Sequence, residues 1–272
     1  MSLTLALLTV LAGSGCSATP AAQPADAGVD AIADAPGSFG PVGAVSHDDA
    51  AASGDPAAAY AVSLTMSTFA VPPGQEVYKC QDFANPFGSK AVDIVRYDLT
   101  MSAGSHHMLL FYSQGASDGP VGDCPMGGLQ LGPYTFGAQS PNVTAPYPAG
   151  IGAAIPADMG FTMNAHYVNT GSTELTTSVK VTLFVGAPGE VTQHAGVLQF
   201  VLTSISVPPT NQPVDVSGAC SINQDMSLLW ADSHMHRRAT NFVATSGATK
   251  LFETTSWSDP PARTFTPPLA LA

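Results

Sequence analysis

From Tyr60 onward, apolar residues recur at every second position, and this period of two constrains the fold more than any other feature of the chain. Tyr60, Val62, Leu64 and Met66 alternate with Ala61, Ser63, Thr65 and Ser67. The pattern returns in Val95, Tyr97, Leu99 and Met101, in Phe161, Met163, Ala165 and Tyr167, and in Val179, Val181, Leu183 and Val185. Residues two apart in a strand share a face, so each run predicts a strand with one side buried. No apolar i, i+3, i+4, i+7 pattern persists between helix caps. The breaks come from 26 Gly and 23 Pro, as at Pro72-Pro73-Gly74, Gly186-Ala187-Pro188-Gly189 and Pro208-Pro209. Short strands cut by Gly/Pro turns predict an all-β sandwich protein.

Composition divides the chain into a leader, a tether and two folded units. Residues 3–12 are apolar but shorter than the ~20 residues needed to span a bilayer. With Gly13-Ser14-Gly15-Cys16 behind them, residues 1–16 resemble a bacterial lipoprotein signal with Cys16 as the lipidated residue. Gly13 stands where a Leu is usual, and no basic residue precedes the apolar run; a general export signal is the alternative. Residues 17–58, rich in Ala, Pro, Gly and Asp, are expected to be a disordered tether. A first unit is expected over 59–189 and a second over 190–272, with strands over Val197–Val207 and from Met226 to His236. The second unit is the shorter and stops at Pro267-Pro268-Leu269-Ala270-Leu271-Ala272, which reads as unfinished, so the chain is expected to be C-terminally truncated.

The net charge is −12, with no Lys or Arg before Lys79. Phosphate binding needs clustered Lys and Arg, so nucleic acid is excluded as a partner. Export also suits the cysteines: Cys80 and Cys124 are expected to form a disulfide. Cys220 is then either a free thiol or paired beyond Ala272.

Seven histidines are present, and five of them, His106, His107, His166, His234 and His236, lie in or beside strand-like runs. On one strand, His234 and His236 project together beside Trp230 and Asp232, offering two legs of a metal site. The alternative is a pair of exposed strand histidines. His166 shares its face with Thr162 and Asn164, opposite the apolar set, so a core histidine fits it less well than a ligand. Adjacent residues cannot share a face of a regular strand. For His106 and His107 to serve one ion the backbone must bulge, and Gly104-Ser105 supplies a place for that; otherwise one is exposed and the other buried. His47 and His194 are read as ordinary surface residues.

The order His106-His107-Met108 before Leu109-Leu110-Phe111, then His166-Tyr167-Val168-Asn169, then His234-Met235-His236, resembles the copper type II, ascorbate-dependent monooxygenases, the family of peptidylglycine α-hydroxylating and dopamine β-monooxygenases. The similarity covers about residues 60–272. It implies two tandem antiparallel jelly-roll-like domains with one copper each, the second incomplete here. By the resemblance, His106, His107 and His166 bind an electron-storing copper. His234 and His236 bind the catalytic copper, where O2 and an unidentified small-molecule or peptide substrate meet and a substrate C–H is hydroxylated, with ascorbate as reductant. The family's third ligand to that second copper is a Met, and none follows Met235. Its peptide-amidating members carry an Arg two residues before His-x-His; Asp232 stands there, which disfavours an anionic peptide terminus. The competing readings are an exported copper-binding protein without turnover, a zinc hydrolase using three His and water, and a purely structural sandwich.

Overall fold

The computed structural model describes residues 4–10, 44–49, 58–125, 133–200, 202, 205–210, 212–222, 225–236, 238–258 and 260–271. The described residues form strands and no helix, as the period-two pattern requires. In chain order the strands are β1 (Thr4–Val10), β2 (Ala44–Asp49), β3 (Ala58–Thr65), β4 (Ala70–Val71), β5 (Glu76–Phe83), β6 (Val92–Met101) and β7 (Ser105–Gln114). There follow β8 (Gly122–Asp123), β9 (Tyr134–Ala138), β10 (Asn142–Pro146), β11 (Ile151–Ile155), β12 (Met159–Val168), β13 (Leu175–Thr176) and β14 (Val179–Gly186). The last five are β15 (Gln193–Phe200), β16 (Met226–Ser233), β17 (Phe242–Ser246), β18 (Thr249–Thr254) and β19 (Arg263–Leu271).

Two sheets make the main sandwich. One runs β19-β16-β1-β15-β11-β6-β14-β3-β2, with β10 also on β6; the other is five-stranded, β8-β5-β12-β7-β9. Val62, Leu64, Tyr97, Leu99, Val181 and Leu183 from the first face Met108, Leu110, Phe136, Phe161, Met163 and Tyr167 from the second in one buried core. Each fully buried large side chain such as Phe161 or Leu64 contributes about 1.5–3 kcal/mol. The face of β12 expected to be apolar is therefore the core face, and Thr162, Asn164 and His166 lie on the other side of the five-stranded sheet. A smaller core gathers Met226, Leu228, Ala231, Leu251, Phe252, Phe265 and Leu271 around β16, β18 and β19.

Several expectations need correcting. Val95 does not share a face with Tyr97: the β14–β6 register shifts between Phe184 and Val185, and Val95 joins a separate cluster with Ala58, Ala61 and Phe184. β15 begins before the expected Val197 and includes His194, which is on the surface as expected, with its Nε2 2.9 Å from Asp93 Oδ1. β15 pairs with β11 through Ile151 and Gly152, so strands from both sides of residue 189 share one sheet. The terminal Pro-rich run, for which no strand was expected, forms β19 and pairs with β16 from Met226–Leu271 to Ala231–Arg263. Within the expected tether, Ala44–Asp49 is a strand on the edge of β3, and within the expected signal segment Thr4–Val10 is a strand between β15 and β16. Cys16 and the rest of the leader and tether, apart from these strands and Ala58, lie outside the described residues. Cys80 and Cys124 are bonded as expected. Cys220 is not a free thiol; it too is disulfide-bonded.

Candidate metal centre

The outer face of the five-stranded sheet carries the site. Antiparallel register sets His166 between Tyr78 on β5 and His107 on β7. Tyr78 stacks on the His166 ring with centroids 3.9 Å apart. One step along, Asn164 lies opposite Cys80, and its Nδ2 reaches Cys124 Sγ at 3.2 Å. The disulfide thus covers the sheet face next to the histidines.

The bulge that the adjacent histidines demand is present. β12 pairs His166 with His107 and then Tyr167 with Ser105, leaving His106 as the extra residue on β7. An unpaired residue re-aims its side chain, so both imidazoles reach one side of the sheet. Gly104, with φ +87°, makes the entry: a Cβ there would stand 2.5 Å from Leu175 Cδ1. One ligand atom from each of His106, His107 and His166 lies within 4.8 Å of the others. Ligands of a tetrahedral ion stand about 3.3–3.4 Å apart at bonds of about 2.0–2.1 Å, so holding one ion would bring the widest pair together by up to about 1.5 Å.

His234 and His236 do not lie on a strand, because β16 ends at Ser233. They nevertheless converge, with Nε2 to Nε2 3.3 Å. Two nitrogens bound to one tetrahedral ion at about 2.0–2.1 Å stand about 3.3–3.4 Å apart, so this spacing already matches a metal edge. His234 is buried, whereas His236 is exposed.

The expected trio and duo do not occupy separate units. The His106 centroid is 4.8 Å from that of His166, 4.9 Å from His234, 5.4 Å from His107 and 5.9 Å from His236. His107 and His234 are 5.0 Å apart. The chain beyond β16 delivers its pair onto the outer face of the five-stranded sheet, and the five imidazoles form one contiguous cluster.

Protonation favours ligation. Burial, with neighbouring imidazoles adding to it, lowers His106 to about 4 and His234 to about 3, and holds His107 well below the usual histidine range. Burial also lowers His166, partly offset by its hydrogen bond to the Glu76 carboxylate. These rings are therefore neutral at physiological pH, the form that binds metals. The Nδ1 atoms of His107 and His166 are buried without a hydrogen-bond partner. A buried nitrogen without a partner costs about 1–3 kcal/mol, and a metal ion would satisfy both.

Three supporting residues were not foreseen. Glu76 Oε1 lies 2.7 Å from His166 Nε2. Burial raises the Glu76 carboxyl, but the hydrogen bond and charge of His166 and a hydrogen bond from Tyr78 outweigh it and hold it below the usual range. Glu76 and Tyr78 alternate with Cys80, and that alternation was a usable signal for placing them on the disulfide face. Gln139, one residue beyond β9, has its Oε1 3.0 Å from His234 Nδ1; an isolated Gln after a strand carries no such signal.

Comparison of the chain with family models, with curated proteins and with solved structures returned no match in any of the three.

Proposed function

We propose that the chain is a copper- and ascorbate-dependent monooxygenase, or a relative that retains the copper centre. The observation that carries this reading is the convergence of His106, His107, His166, His234 and His236, from three separate segments, into one cluster in which the Nδ1 atoms of His107 and His166 are buried without a hydrogen-bond partner. Imidazole suits both copper oxidation states, and mixed geometries of three and two nitrogens are copper-like rather than a closed structural zinc site. Copper held there, reduced by ascorbate, would supply the one-electron chemistry that activates O2 for hydroxylation of a substrate C–H bond.

The protein's own contribution is to hold and orient. His107 and His166 are set side by side by the β7–β12 ladder, each with a buried Nδ1 that lacks a hydrogen-bond partner. Tyr78 walls one side of His166, and the disulfide with Asn164 closes the sheet face beside it, which limits bulk water at the trio. The exposed His236 marks the side open to solvent, where substrate would approach the His234/His236 pair. That pair would be the catalytic one and the trio the electron-storing one. The Cys80–Cys124 disulfide supports an oxidising, exported location.

A second reading, an exported copper-binding protein without turnover, is favoured by the buried His106/His107/His166 cluster, which could hold an ion by itself. Oxygen uptake by the copper-loaded chain with ascorbate, across a panel of peptide and small-molecule substrates, separates the two. Substrate-dependent, coupled oxygen consumption is expected for the monooxygenase. Tight copper binding with uptake no greater than that of free copper would favour the carrier.

A further inference from the structure

The two nitrogens of an imidazole are not equivalent, and which one a site receives depends on what the other is bonded to. Gln139 is buried beside His234. Its Nε2 donates to the main-chain carbonyl of Trp257. A carbonyl oxygen only accepts, so this bond fixes the amide with its Oε1 turned the other way. That oxygen sits 3.0 Å from His234 Nδ1. An amide oxygen also only accepts, so His234 must carry its proton on Nδ1. Its Nε2 is then an unprotonated lone pair, and Nε2 is the atom that stands 3.3 Å from His236 Nε2.

We propose that Gln139 is a positioning residue that sets the His234 tautomer, so that the His234/His236 pair offers Nε2 to a metal ion. The inference rests on the cluster being a metal centre and goes beyond it in assigning which nitrogen is used and what enforces the choice. Glu76 does the corresponding work for the strand-borne half, in the opposite sense. Its carboxylate accepts from His166 Nε2, leaving Nδ1 as the lone pair, and Nδ1 is the atom that is buried without a partner. The two halves thus present different nitrogens, each dictated by an acceptor from another strand segment. Gln139 follows β9 of the five-stranded sheet while Trp257 and His234 belong to the C-terminal part. The same amide therefore also ties the C-terminal part to the end of β9: orientation and docking come from one side chain.

The test is a long-range 15N–1H correlation spectrum of the metal-free full chain labelled in its imidazole nitrogens. The expected result is His234 locked as Nδ1–H; an Nε2–H or averaged tautomer in the unaltered chain would overturn the proposal, and that spectrum does not depend on any variant folding. Gln139→Leu, which removes the acceptor, is expected to release the tautomer and weaken zinc(II) or copper(I) binding by about 10–100-fold. Gln139→Glu, which keeps an acceptor oxygen, is expected to restore Nδ1–H. A Gln139→Leu chain that keeps the Nδ1–H tautomer and unchanged affinity would contradict the assignment. If the unaltered chain binds no copper, the proposed function falls, while the tautomer spectrum still decides the role of Gln139.

Discussion

His107 and His166 are written into a ladder, whereas His234 and His236 stand just past the end of one. The first pair are cross-strand partners between β7 and β12, buried, walled by Tyr78 and a disulfide. The second pair follow Ser233 with no strand partner of their own, one buried and one exposed. Register fixes the first pair at no extra conformational cost. The second depends on Gln139 and on packing against His106. The trio is therefore a preformed half-site, and the duo is the adjustable half on the solvent side.

Removing a strand-borne ligand should have the largest effect. His166→Ala is expected to lower copper affinity at the trio by more than about 100-fold, beyond the 10–100-fold typical of supporting residues. Equilibrium titration against a competing chelator reads this; an unchanged affinity would break the contrast. His236→Ala, on the exposed and adjustable side, should cost less than His234→Ala, and neither should remove the copper held by His107 and His166.

Next in size is the disulfide beneath the trio. Reducing or replacing it, as in Cys124→Ser, removes a cross-link spanning 44 residues and is expected to cost about 3–4 kcal/mol of stability. Chemical denaturation measures that loss, and metal affinity at the trio should fall more than at the duo. Gly104→Ala comes below it: the left-handed backbone and the close Leu175 side chain should cost about 1–3 kcal/mol. Because Gly104 leads into the bulge, the variant should also misplace His106. A thermal scan with a copper titration would show both.

Acid should affect both halves alike. His106 and His234 titrate at about 4 and about 3 in the folded chain, against about 6.5 when unfolded. The unfolded chain therefore binds more protons below pH 6.5, so metal-free stability is full above that value. It should fall as the pH drops toward 4 and then 3. Flat stability from pH 7 to pH 4 would show that these rings are not buried as neutral imidazoles.

The sequence made the sandwich legible because its core faces are written at period two: Phe161, Met163, Ala165 and Tyr167 are all core residues, and His166 points away from them. The bulge at His106 was legible as a necessity, since two neighbouring residues cannot otherwise share a face. Val95 was misread because a register shift leaves the period of its own strand unchanged to the eye. β15 was begun too late because its pairing is set by β1 and β11, distant in sequence, and β19 was not foreseen because Pro267-Pro268 interrupts its pattern, a pair that an edge strand such as this one tolerates. The merging of trio and duo was illegible for the same reason: where β16 ends relative to the five-stranded sheet is a tertiary fact. Gln139 acts through a carbonyl at Trp257, a relation no local pattern encodes.

The central claim, that one cluster of imidazoles holds a redox metal, is tested most directly by X-ray absorption at the copper edge on the loaded full chain. The account predicts copper–nitrogen distances of about 2.0–2.1 Å with imidazole scattering, and a loss of nitrogen ligands in His166→Ala. Copper surrounded by oxygen ligands alone, or a spectrum unaltered by removing the His166 imidazole, would contradict it.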